Sequence, residues 1–216
     1  RHDGAHMFSP GLATLLARLQ KLQTLHLQLT PAPTDRLPTV MECTWLMETL
    51  LAKPLQDLCL DNFGGALRQM IPHWSTGPYR PQWKAVTIEN HNLGFNAQNR
   101  QTESAFRGFS AFVHHIICRS QASMLTLKNL GSDPLFAWRA DPPMDLTQAC
   151  FTRLRQALRS ALFERSRQAG AQPLDVIIGM VDLGVLRMLL PAFAFAHPSV
   201  KCIQSLALQW TPPQEP

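Results

Sequence analysis

The chain has no uninterrupted apolar run of about 18 residues, the minimum a membrane-spanning helix needs, so no membrane span is expected. It begins at Arg1 without a charged-then-apolar leader, and no secretory signal is expected. Residues 1–7, with Gly4-Ala5-His6-Met7, read as a cloning scar or linker, or as native sequence in a fragment of a longer protein. Charged residues make up only 16% of the chain, and lysine is confined to Lys21, Lys53, Lys84, Lys128 and Lys201. No Lys/Arg run interleaves with aromatics, so a net charge of +5 permits nucleic acid without arguing for it. The five cysteines are Cys43, Cys59, Cys118, Cys150 and Cys202; they form no C-x-x-C pair and leave one over. A disulfide framework is therefore not expected, and the chain reads as intracellular, in cytoplasm or nucleus.

The signatures of catalysis are missing too. There is no G-x-G-x-x-G and no Walker loop. Gly108-Phe109-Ser110-Ala111-Phe112 lacks the second glycine of a nucleophile elbow. Gly179-Met180-Val181-Asp182-Leu183-Gly184 reads as a plain strand-to-helix turn. His114 and Cys118 stand one helical turn apart, but structural zinc uses two close pairs and the second pair is absent. His114-His115 reads instead as one wet and one buried histidine on a helix. No metal, no cofactor and no catalytic residue is expected.

What the chain does have is 45% hydrophobic residues arranged on a beat. Leu55-Gln56-Asp57-Leu58-Cys59-Leu60-Asp61-Asn62 alternates apolar with polar and ends on Asn. That is the two-residue period of a strand with one face buried. The beat returns at Leu22/Leu25/Leu27, Trp83/Val86/Ile88, Ala122/Leu125/Leu127/Asn129 and Ile203/Leu206/Leu208. An apolar run at Leu174–Met180 keeps it less clearly. Helical spacing fills the intervals, as in Leu12/Leu15/Leu16/Leu19, Phe106/Phe109/Val113/Ile116 and Cys150/Leu154/Leu158/Leu162. Units recur at steps of about 33, 28, 39, 52 and 29 residues, against roughly 20–29 for leucine-rich units. Pro-rich loops would hold the surplus.

One such unit cannot bury its apolar face alone, whereas stacked units share one core. The expected fold is α/β: a solenoid of parallel strands in chain order, with helices on the convex side, over residues 1–216 as a single domain. Alternation sends the remaining strand residues to the concave face: Thr24, His26 and Gln28; Asp57, Cys59 and Asp61; Ala85, Thr87 and Glu89; Met124, Thr126 and Lys128; Ser205, Ala207 and Gln209. That face is acidic toward its middle, with Lys128 beyond, and suits a protein partner better than a phosphate backbone. Trp45 and Trp83 fall on element patterns and read as core. Trp74 and Trp138 sit in loops beside prolines, where they either anchor a partner or plug their own loops.

The motifs Leu22-x-x-Leu25-x-Leu27, Leu55-x-x-Leu58-x-Leu60-x-Asn62, Leu125-x-Leu127-x-Asn129 and Ile203-x-x-Leu206-x-Leu208 resemble irregular helix-backed leucine-rich repeats. They look most like the repeats downstream of an F-box in fungal proteins. The resemblance implies a protein-interaction module, in its narrowest form a substrate receptor for ubiquitin ligation; no F-box is recognisable. Two other classes stand beside it. One is an α/β hydrolase or transferase whose strands mimic the beat. The other is an RNA-binding scaffold using Arg153, Arg155, Arg159, Arg165 and Arg167 of the longest helix; as a solvated face, those arginines need no partner.

Overall fold

Leu58 and Leu60, Val86 and Ile88, Leu125 and Leu127, and Val176 and Ile178 are buried at equivalent places on four consecutive strands. Their neighbours along each strand point the other way, as the pleat requires. The computed structural model describes residues 10–28, 40–61, 81–89, 100–130, 144–181, 183–193 and 203–210. The strands are β1 (Thr24–Gln28), β2 (Asp57–Asp61), β3 (Ala85–Glu89), β4 (Met124–Lys128), β5 (Leu174–Val181) and β6 (Ile203–Trp210). The helices are α1 (Pro10–Arg18), α2 (Val40–Leu51), α3 (Arg100–Arg119), α4 (Met144–Ser166) and α5 (Leu183–Leu189).

The six strands form one parallel sheet in the order β1-β2-β3-β4-β5-β6. This is the arrangement the alternating leucines imply. Among the described residues β1 pairs only with β2 and β6 only with β5, so the sheet is open. Parallel crossovers are almost always right-handed. When the order never reverses, each right-handed crossover lays its helix on the same face. Consistent with that, buried residues of α1 to α5 join the inward strand residues in one core.

Several contacts tie the layers together. Phe106 of α3 meets Phe151 of α4 edge-on, with ring centroids 5.2 Å apart. Trp83 is fully buried and donates its indole N–H to Leu50 O at 3.0 Å, so it fills the core while satisfying its one polar atom. Lys53, just past α2, reaches back to Ala17 O and Leu19 O, at 3.0 and 3.2 Å, closing the end of α1.

The stripe Cys150/Leu154/Leu158/Leu162 on α4 is buried as its spacing predicts. Pro191 ends α5, where Leu190–Ala192 tighten into a 3₁₀ turn. Some expectations need correction. Strands β1 and β2 begin at Thr24 and Asp57, so Leu22 and Leu55 precede them as buried or half-buried anchors. Trp45 is only half-buried. Arg165, assigned to a solvated arginine face, is 2% exposed. Its guanidinium donates to Ile117 O at 2.9 Å, Ala122 O at 2.8 Å and Gln172 O at 2.6 Å. It is a clamp between the end of α3, the start of β4 and the end of α4.

Candidate functional site

The face of the sheet turned away from the helices carries three register rows. The first runs Thr24, Asp57, Ala85, Met124, Asp175, Ser205. The second runs His26, Cys59, Thr87, Thr126, Ile177, Ala207. The third runs Gln28, Asp61, Glu89, Lys128, Gly179, Gln209. Strands lie about 4.8 Å apart, so each row spans about 24 Å. All the strand residues expected on this face are brought together on it. Trp74 and Trp138 lie outside the described residues, as do residues 1–7.

The third row holds most of the charge. Asp61 and Glu89 are direct cross-strand neighbours and so are Glu89 and Lys128. A like-charged pair thus stands beside an opposite-charged one. Asn129, just past β4, donates Nδ2–H to Glu89 Oε1 at 2.7 Å. Its own N–H reaches Gly179 O at 3.2 Å, and it holds φ at 55°, a left-handed turn that Asn tolerates. The Asn that closes the Leu125-x-Leu127 beat is therefore a strand-end device. Its counterpart Asn62 lies outside the described residues.

Exposure departs from expectation at three places. Asp61 is 4% exposed, Thr126 5% and Ala85 8%, so the middle of the face is shielded. Asp61 is the chemically consequential one. Among the described residues its Oδ1 has no hydrogen-bond partner. Such a buried acceptor costs about 1–3 kcal/mol, more when charged. In the second row, burial first, then Glu89 and Asp61, push the Cys59 thiol above its ordinary 9.0, while Lys128 pulls the other way. The face is electrostatically negative at β2 and β3.

Three residues of this face, Asp175, Ile177 and Gly179 of β5, were not read from the sequence. Asp175 accepts from Ser205 Oγ at 2.7 Å, and Ile177 lies half-buried between Thr126 and Ala207. The unbroken apolar run of β5 hides the alternation that would have exposed them. A second grouping, away from this face, joins His114 and Cys118 of α3 to Glu164 of α4 and could hold a metal ion. As expected, His115 is buried and His114 is partly open.

Comparison with protein-family models, curated proteins and solved structures finds no match. No described helix is long and apolar enough to cross a membrane.

Proposed function

We propose that this chain is a leucine-rich-repeat-like interaction module that binds a protein segment across its open sheet face. The single observation that carries the reading is Asp61 Oδ1: a buried carboxylate oxygen in mid-face without a hydrogen-bond partner among the described residues. A buried acceptor of this kind fits a site whose donor arrives with a ligand. Glu89 beside it and Asp57 four residues earlier on the same strand make an arginine or lysine of the partner the complementary group. Rigid strands hold these side chains in fixed register, so little entropy is lost on binding.

The strand order supports a binding role over an enzymatic one. Ligand crevices in open parallel sheets form where the strand order reverses, and this order runs straight from β1 to β6. Reception of substrates for ubiquitin ligation is the narrowest form of the proposal and rests on the sequence resemblance alone.

The test places a photo-crosslinking residue at Thr87 on the open face, or at the exposed Gln156 on α4. Capture from Thr87 and not from Gln156 is the expected result. Asp61→Asn should weaken binding of the captured protein by roughly 30-fold, since removing one charge of a buried pair costs about 2–5 kcal/mol. The same variant should melt no lower than the native chain, because it relieves a like-charge contact with Glu89. Equal capture from both faces, or binding indifferent to Asp61→Asn, would sink the proposal.

A further inference from the structure

We propose that His114, Cys118 and Glu164 form a binding site for a divalent ion of zinc-like chemistry, on the helix layer between α3 and α4. This site is independent of the open sheet face. The i, i+4 spacing puts His114 and Cys118 on one face of α3, and packing of α4 brings in Glu164. Their ligand atoms all lie within 4.8 Å of one another.

The spacings within the cluster are close to those around a tetrahedral ion. Bonds of about 2.3 Å to sulfur and 2.0 Å to nitrogen and oxygen imply edges of about 3.3 Å for N–O and 3.5 Å for N–S and O–S. His114 Nε2 lies 3.1 Å from Glu164 Oε1 and 3.9 Å from Cys118 Sγ, and Cys118 Sγ lies 3.5 Å from the other carboxylate oxygen, Oε2, so the carboxylate must turn to present one oxygen to both. Small side-chain rotations bring all three onto one ion.

Hydrogen bonding alone accounts for the cluster less well. Cys118 Sγ faces three groups that could accept, His114 Nε2, Glu164 Oε2 and Ala161 O, yet a thiol has one proton to give. An ion satisfies the imidazole, the thiolate and the carboxylate together. A thiolate, a carboxylate and a neutral imidazole also cancel a double positive charge. Thiolate and imidazole favour zinc or cobalt over magnesium or calcium. Ser160 Oγ donates to Glu164 Oε1 at 3.3 Å and helps orient the carboxylate. The side chains of His114 and Glu164 are 33% and 49% exposed, which leaves an entry path and a fourth position for water. The loaded ion would fasten the end of α3 to α4.

The experiment strips the full chain with chelator and titrates it with Co²⁺ alone. One cobalt per chain with a sulfur-to-cobalt charge-transfer band is the expected result, and Zn²⁺ but not Mg²⁺ should bleach it. Cys118→Ser should abolish the band. His114→Ala and Glu164→Gln, at partly exposed positions that leave the core intact, should each weaken binding about tenfold or more, since losing even outer-shell partners costs 10–100-fold. A native chain without the band, a band that survives Cys118→Ser, or native affinity in both other variants overturns the site.

Discussion

Asn129 donates to the Glu89 carboxylate at 2.7 Å, fastening the turn after β4 to the last residue of β3. One residue thereby closes its own strand and holds an acidic group of the candidate face in place. The bond is charge-assisted and 3% exposed at the Asn end, so it is among the stronger polar contacts of the fold.

Asn129→Ala should destabilise the chain by about 2.5–4 kcal/mol. Of that, about 1 kcal/mol is left-handed strain on an alanine and about 1.5–3 kcal/mol the lost bond to a charged group. Asn129→Gly keeps the backbone freedom and should recover the strain part. Urea midpoints of the two variants check this. Equal losses would mean that the backbone conformation contributes nothing.

Arg165 makes a second prediction. Replacing it with Met fills similar space but leaves the carbonyls of Ile117, Ala122 and Gln172 without the guanidinium that serves them. A loss of about 3 kcal/mol or more is expected, since each buried unpaired group costs about 1–3 kcal/mol. Arg165→Lys keeps the charge but not the fork and should fall between the two. Hydrogen exchange at the ends of α3 and α4 should speed up in both. Unchanged exchange there would show that the clamp is dispensable.

Cys59 makes a third, dependent on pH. Its thiol sits above its ordinary 9.0, chiefly through burial and then through Glu89 and Asp61. The folded chain therefore holds this proton more tightly than the unfolded chain does. The resulting contribution to stability is complete below pH 9 and is lost as pH climbs above it. Alkylation of Cys59, followed by peptide mass mapping at pH 8, should be slower in the folded chain than in urea. Glu89→Gln should quicken it and Lys128→Met should slow it. The reverse order would place the Cys59 sulfur in a different field from the one described.

Much of the fold is legible in the residues because burial on one side of a strand leaves a period of two. Leu58/Leu60 and Leu125/Leu127 carry that period, and their strands are parallel and in chain order as it implies. Leu174–Val181 carries it poorly: Asp175 and Ile177 alternate with Val176 and Ile178, yet Ile177 is apolar as well. Its outward residues were consequently missed. Arg165 was misread because an arginine on a helix looks the same in sequence whether its fork meets water or three carbonyls.

For β1 to β4 the residues by themselves determined which strand positions face the core and which share the open face, since alternation is local and one shared core aligns it between units; on β6, Leu206 and Leu208 are 36% and 41% exposed. Only the tertiary structure decided that Asp61 is buried with an oxygen that has no hydrogen-bond partner among the described residues, that Arg165 is a clamp, and that Glu164 meets His114 and Cys118. Each of those depends on groups tens of residues apart, brought together by how helices and strands pack, and chain spacing carries no record of that packing.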